Sequence, residues 1–184
     1  MSFLAGARQR AVTALGAVEG EAITARLELR QGELVSALEQ LYAARVDATD
    51  LLGRIVDRVL DAASSRSEPL RVLDRRREVD LSWFQRPETI GYVCYVDRFA
   101  GDLAGVRRRL DYLGELAVTY LHLMPLLRPR DGDNDGGYAV IDYGSVDPRL
   151  GTMADLEGLA SDLHTRGMSL CIDLVLNHTA AEHP

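Results

Sequence analysis

The chain has 184 residues, 47% of them apolar, which suits a globular protein with a buried core and excludes a mainly disordered one. Lysine and arginine number 21 against 28 aspartates and glutamates, and the net charge of -7 argues against nucleic acid or an anionic membrane and favours a neutral ligand. No apolar run reaches membrane-spanning length and the amino terminus lacks the features of a signal peptide, so we expect a cytoplasmic protein.

The first part of the chain is predicted to be helical. Apolar residues recur at helical spacing over 34–42 and 51–60, which indicates two amphipathic helices, the second of them capped by Thr49 or Asp50. The preceding segments are also predicted to be helical, over 3–18 and 21–30, with interruptions at Gly16, Gly20 and Gly32. An arginine-rich segment over 70–78 predicts one more short helix, so a helical cluster of roughly 80 residues is expected.

The pattern changes after Pro87, where apolar strands begin to alternate with helices. The predicted order is strand 90–97, helix 103–116 capped by Asp102, strand 118–124, a long loop, helix 153–164, and a last strand that begins at Met168. Near-continuous apolar strands joined by helices indicate a parallel sheet with right-handed crossovers, buried on both faces. The glycine motifs of nucleotide-binding sheets are missing from the sequence, so we predict the first strands of a (β/α)8 barrel.

Polar residues end the last predicted strand. Its apolar run is broken at Asp173 and closes with Asn177 and His178. The carboxyl ends of strands carry the binding sites of α/β folds, so these side chains are candidates for a site, although spacing alone leaves His178 open to an ordinary hydrogen-bonded role. A metal site with a single histidine has little support. For His122, in mid-strand, a satisfied core histidine is favoured over a site residue.

The acidic loop over 131–142 admits three interpretations. Carboxylates at alternating positions and a glycine at the sixth match the opening of an EF-hand, so a calcium-binding module is the alternative from another functional class. Against calcium, Asp142 replaces the usual glutamate at the twelfth position, and Pro125 and Pro129 forbid the entering helix. An ordinary solvated turn is the second interpretation, because Asp, Asn and Gly are common turn residues.

The third interpretation is a sugar site. Gly136 and Gly137 would allow close backbone approach, while Asp135 and Tyr138 point into a pocket. A carboxylate beside an aromatic face suits a pyranose ring, whose hydroxyls meet the carboxylate and whose C–H groups meet the aromatic face.

The cysteines, Cys94 and Cys171, lie in apolar runs and are expected to be reduced core residues.

Motifs in the second part resemble the α-amylase superfamily, glycoside hydrolase family 13. The segment 173–178 is similar to the first conserved region of that family. Within the family the chain resembles the amylosucrases, in the segments 91–103, 119–126, 135–140, 177–179 and 182–183. The upstream part resembles their all-helical amino-terminal domain, which implies a helical domain over 1–86 and the first part of the catalytic barrel, strands one to three, over 87–184.

The resemblance implies a role for each candidate residue. Tyr138 would stack on the glucosyl ring in the deepest subsite, Asp135 would help close that pocket, and His178 would hydrogen-bond a ring hydroxyl. Asp173 and Asn177 would support the site structurally. The implied reaction is a retaining transfer of glucosyl from sucrose to an α-1,4-glucan with release of fructose, without a cofactor or a metal.

The same resemblance places the nucleophile and the general acid beyond Pro184, on later strands of a barrel of roughly 250 residues. We therefore expect an amino-terminal fragment with no catalytic residue of its own, inactive in isolation. A sucrose hydrolase or another α-glucosidase of the family is the alternative, because transfer and hydrolysis are distinguished by acceptor subsites outside this segment. An independent interaction module in the helical part is a further possibility from another class.

Overall fold

The computed structural model describes residues 3–42, 45–133 and 135–184. The chain divides into two compact units, of which the first ends at Val79 and the second begins at Asp80. Asn134, part of the acidic loop that the sequence singled out, lies outside the described residues. Within the described ranges, no helix is both long and apolar enough to cross a membrane.

The described residues of the first unit form helices, which are α1 (Phe3–Leu15), α2 (Ala17–Tyr42), α3 (Ala48–Ser65) and α4 (Glu68–Val79). Gly16, with a φ of 83°, separates α1 from α2. The predicted interruptions at Gly20 and Gly32 are wrong, because α2 continues through both. Gly20 lies where the two helices meet, since a methyl group there would stand 2.6 Å from the Cα atom of Val12.

Helix α3 supplies most of the core of this unit. Leu52, Val56 and Leu60 recur at every fourth position and are buried, because that spacing keeps them on one face of the helix. The cap of α3 is Asp47, whose carboxylate accepts a hydrogen bond from the backbone N–H of Asp50 at 2.8 Å. The predicted cap at Thr49 or Asp50 is therefore wrong by a few positions, since both belong to the first turn.

The second unit combines helices and strands. Its strands are β1 (Gly91–Cys94), β2 (Tyr120–Leu123), β3 (Leu127–Pro129), β4 (Val140–Val146) and β5 (Ser169–Ile172). Its helices are α5 (Val96–Ala100), α6 (Leu103–Arg108), α7 (Leu110–Glu115) and α8 (Met153–Thr165), with a 3-10 helix over Trp83–Gln85. Strands β1, β2 and β5 pair in that order and all in parallel, as predicted for an α/β fold.

The structure corrects several predicted boundaries. The first strand ends at Cys94 rather than 97, because Val96 and Asp97 begin α5. The predicted helix over 103–116 is two helices, since the backbone of Arg109 leaves helical geometry between them. The predicted long loop contains an antiparallel hairpin of β3 and β4, which pairs Leu127 with Val146.

The two faces of the parallel sheet differ. On one face Leu121 and Leu123 of β2 are fully buried in an apolar cluster with α6, α7 and α8. On the other face lie Val93 of β1, which is 61% exposed, and the half-buried His122 of β2. The prediction of a sheet buried on both faces therefore holds for one face only among the described residues.

Candidate functional site

Three polar side chains from separate elements meet at the carboxyl end of the parallel sheet. Asp173 directly follows β5, His122 lies in β2, and Tyr138 comes from the loop that joins β3 to β4. The Nε2 atom of His122 is 2.7 Å from Oδ1 of Asp173. The hydroxyl of Tyr138 donates to Oδ2 of the same carboxylate at 3.0 Å. Both oxygens of Asp173 therefore hold a neighbouring side chain.

The carboxylate affects the ionisation of Tyr138. The hydrogen bond that the hydroxyl donates to Asp173 raises the pKa of Tyr138, and burial and the negative charge of Asp173 raise it further. A weaker contribution comes from a hydrogen bond with Tyr95. The phenol is consequently held in its neutral, donating form, and the hydrogen bond of its hydroxyl group restrains the position of the ring.

A second pair of polar side chains comes from the same two segments, the loop before β4 and the chain after β5. His178 Nε2 is 3.8 Å from Asp135 Oδ2, and the two side chains are 46% and 50% exposed. At that distance and exposure the pair contributes little to stability. The other oxygen of Asp135 accepts the backbone N–H of Ala139 at 2.8 Å. Nδ1 of His178 lies 2.9 Å from Oδ1 of Asn177.

The hairpin of β3 and β4 holds the segment that carries His178. The hydroxyl of Tyr143 in β4 donates to the carbonyl oxygen of Val175 and, at 3.4 Å, to that of His178. The backbone N–H of Ala180, a buried residue, donates to the carbonyl of Val140 at 3.0 Å. A region predicted as a plain loop thus positions the chain after β5.

Two glycines bring the loop close to its neighbours. Gly136 and Gly137 have φ values of 85° and 96°, a region that favours glycine. A side chain at Gly136 would meet the hydroxyl of Tyr95 at 3.2 Å, and one at Gly137 would meet Cβ of Pro125 at 3.1 Å. The expectation that both glycines permit close backbone approach is confirmed by these distances.

The calcium interpretation of 131–142 does not fit this geometry. An EF-hand loop lies between helices, whereas here β3 precedes the acidic stretch and β4 follows it. Asp142, at the twelfth position, accepts hydrogen bonds from the hydroxyl of Ser145 and from the backbone N–H of Gly144 within the hairpin, and these lower its pKa. Among the described residues, no group of three or more His, Cys, Asp or Glu side chains is placed to hold a metal ion.

Sequence reasoning missed the contact made by His122. It favoured a satisfied core histidine, and the structure shows a histidine that is hydrogen-bonded, to Asp173, but only half-buried. The contact follows from the register of the two strands. His122 pairs with Cys171, and Asp173 lies two residues further on, with its side chain on the same face. The roles of Asp135, Tyr138, His178, Asp173 and Asn177 towards a substrate stay predictions.

The sequence of the chain is similar to that of several known proteins. The family model described as the α-amylase catalytic domain matches residues 40–184. An α-glucosidase of Pediococcus pentosaceus is 37% identical over 111 residues, which are 56% of this chain and 19% of that protein. An oligo-1,6-glucosidase of Halalkalibacterium halodurans is 46% identical over 83 residues, 45% of this chain and 14% of that protein.

The fold is also similar to that of a solved structure. A family GH13_31 enzyme superposes with a TM-score of 0.50 at 37% identity, and the match covers 55% of this chain and 20% of that one. The chain thus spans no more than a fifth of the length of any of these proteins, and what it shares with them is part of a catalytic domain.

Proposed function

The chain belongs to the α-amylase catalytic-domain family, and from that membership we propose that it supplies one wall of a glucosyl-binding pocket in an amylosucrase-type enzyme. The enzyme would transfer glucosyl units from sucrose to an α-1,4-glucan. In this proposal residues 1–86 are a helical domain and residues 87–184 begin the catalytic barrel. The observation that carries the proposal is the contact of Tyr138 with Asp173 at the carboxyl end of the sheet, together with the pair of Asp135 and His178 from the same two segments.

The chemistry of the cluster suits a pyranose ring. The Tyr138 ring is half-buried and its hydroxyl is engaged by Asp173, which leaves the aromatic face as its means of contact with a ligand. An aromatic face packs against the C–H groups of a sugar. His178 and Asp135 are about half exposed, so their polar atoms are open to sugar hydroxyls.

The residues of this chain bind and orient the sugar in the proposed reaction. A retaining transfer uses one carboxylate to attack the anomeric carbon and one carboxylic acid to protonate the departing fructose, the two being roughly 5 Å apart. The proposal assigns both groups to later strands of the barrel, outside 1–184. Fixing the glucosyl ring against Tyr138 would hold its anomeric carbon in line with the attacking carboxylate. Correct positioning of the reacting atoms accelerates such an attack.

Sucrose is proposed as the donor because the segments around Gly91, Thr119, Asp135 and Asn177 resemble amylosucrases. The names of the relatives favour a second candidate, an α-glucosidase that hydrolyses its substrate, since an α-glucosidase and an oligo-1,6-glucosidase are among them. Both candidates use the same glucosyl pocket. They differ in whether water or a glucan end accepts the glucosyl group.

Product analysis of the complete gene product separates the candidates. With sucrose and a short α-1,4-glucan, the proposal predicts that fructose is released and that the glucan lengthens, while free glucose stays the minor product. Equal release of fructose and glucose without lengthening would support a sucrose hydrolase. Release of glucose from isomaltose with no action on sucrose would contradict the proposal and favour the α-glucosidase.

A further inference from the structure

His122 lies in the middle of β2, on the face of the sheet that is not covered by the apolar cluster. Its neighbours Leu121 and Leu123 are fully buried in the apolar cluster of the second unit, whereas the His122 side chain is 34% exposed on the opposite face. Alternation along β2 therefore turns the imidazole away from the helices. An imidazole on that face is not needed to fill the core.

Strand register brings His122 to Asp173. His122 pairs with Cys171 of β5, and Asp173, which directly follows β5, is the next residue on the same side of the chain. The backbone N–H of Asp173 donates to the carbonyl of Leu123 at 3.3 Å, so the main chain of Asp173 is still paired with β2. The 2.7 Å contact between Nε2 and Oδ1 then fixes the side chain as well.

The direction of each hydrogen bond follows from the chemistry of the groups. An ionised carboxylate can only accept, so Nε2 of His122 carries the hydrogen and donates it to Oδ1. The Tyr138 hydroxyl donates to Oδ2. Hydrogen bonds to a charged partner are stronger than neutral ones, so the carboxylate ties the strand histidine to the loop tyrosine through both of its oxygens.

We propose that His122 is a positioning residue of the sugar site, which holds the Asp173 carboxylate in the orientation that fixes the Tyr138 ring. The inference rests on the proposed function, because it takes Tyr138 as the stacking platform for the glucosyl group. His122 acts from the far side of Asp173 and needs no contact with the sugar. Without it, Oδ1 loses this donor and the carboxylate is free to turn, which loosens the hold on the phenol.

The ionisation of Tyr138 tests this proposal without any substrate. The variants are His122→Phe, which keeps a ring but has no donor, His122→Leu as a smaller replacement if the first fails to fold, and His122→Gln, which restores an N–H donor. The control is His164→Phe, at an exposed histidine near the end of α8. Difference spectra against the same proteins carrying Tyr138→Phe isolate this phenol among the seven tyrosines of the chain.

The proposal predicts that His122→Phe lowers the pKa of Tyr138 towards the ordinary value of 10.0, because Asp173 no longer holds the phenol in place. His122→Gln should restore most of the difference, and His164→Phe should leave the titration unchanged. A wild-type titration of Tyr138 in folded His122→Phe or His122→Leu would overturn the proposal, since Asp173 would then keep its place without the imidazole.

Activity of the complete gene product supplies the second measurement. His122→Phe should lower kcat/KM for sucrose roughly tenfold, mainly through a higher KM, because a displaced platform weakens ground-state and transition-state binding alike. A wild-type enzyme that does not act on sucrose would refute the proposed function but leave the titration as a valid test of His122. Normal kinetics in His122→Phe, with the Tyr138 pKa lowered, would contradict the link to the sugar site.

Discussion

The hydrogen bond between Tyr138 and Asp173 is the contact on which the candidate site depends most at the scale of single residues. It joins a loop to the end of a strand across 35 positions of sequence. Because the carboxylate accepts the phenolic hydrogen, the bond exists only while Tyr138 is protonated. The contact therefore makes local stability depend on pH in the alkaline range.

The raised pKa of Tyr138 fixes the sign of this dependence. The stabilising contribution is fully present below the unfolded-state pKa of about 10. It falls as the unfolded state loses its proton first, and is lost once the pH rises through the higher pKa of the folded state. Denaturant unfolding of wild-type protein and Tyr138→Phe should thus differ at pH 8, and the difference should shrink above pH 10 or so. A difference that grows with alkaline pH would contradict this account.

Asp173→Asn separates the charge of the carboxylate from its shape. Asparagine keeps an acceptor oxygen but loses the negative charge that opposes ionisation of the phenol. We expect the pKa of Tyr138 to fall in this variant, as measured by its ultraviolet titration. Asp142→Asn is the matched control, because Asp142 accepts its hydrogen bonds from Ser145 and Gly144 within the hairpin, whereas Tyr138 donates to Asp173. If the pKa of Tyr138 fell in Asp142→Asn and not in Asp173→Asn, the prediction would be contradicted.

At the scale of elements, α8 begins with a capping box that fixes the crossover from β4 to β5. The hydroxyl of Thr152 accepts the backbone N–H of Asp155 at 3.2 Å, and the Asp155 carboxylate accepts the N–H of Thr152 at 2.8 Å. We expect Thr152→Ala to lower the free energy of unfolding by about 1 kcal/mol. Thr152→Ser keeps the hydroxyl and should cost much less in the same denaturant titration. Equal losses in the two variants would show that the methyl group, and not the cap, stabilises the helix start.

Two glycines of α2 give a matched pair of opposite predictions. Gly20→Ala places a methyl group 2.6 Å from the Cα of Val12 in α1, so the helices must separate and the protein should be destabilised by roughly 1–3 kcal/mol. Gly32 has nothing within 4 Å, so Gly32→Ala should stabilise by about 0.5–1 kcal/mol through better helix propensity. Thermal unfolding measures both. A stabilised Gly20→Ala would mean that the two helices do not pack as described.

The sequence predicted the elements better than their ends. The strands β1, β2 and β5 follow from their apolar runs, yet the first strand stops early because Val96 begins a helix while remaining apolar and buried. Hydrophobicity alone does not separate a buried strand from a short buried helix. The hairpin of β3 and β4 was hidden for the opposite reason, since its strands carry a proline, a glycine and charged residues, which are typical of turns.

The candidate site was predictable as a set of residues but not as a set of contacts. Asp173 and His178 are candidates because polar groups end an apolar strand, and Tyr138 is one because it follows two glycines. That His122 reaches Asp173 depends on the register of β2 against β5, which a single sequence does not supply. Tyr143 was missed because its hydroxyl acts on the backbone carbonyl of Val175, a target without a sequence signal.

At the scale of the whole molecule, the second unit is a parallel α/β sheet of the α-amylase type with a polar cluster at its carboxyl edge. The match to the related α-glucosidase covers 19% of that protein, and the proposed pocket wall would face groups supplied by other parts of a barrel. In the proposed enzyme this segment would hold and orient the glucosyl ring, and the catalytic carboxylates would act on it from other strands.

A crystal structure of the complete gene product with bound glucose would show whether Tyr138 and His178 bind a glucosyl ring. We expect a glucose ring packed on the face of Tyr138, with a ring hydroxyl within hydrogen-bonding distance of His178 and with Tyr138 still bonded to Asp173. Glucose bound elsewhere, with the Tyr138 face covered by protein, would contradict the claim. So would a metal ion held by Asp131 and Asp133 in place of the sugar.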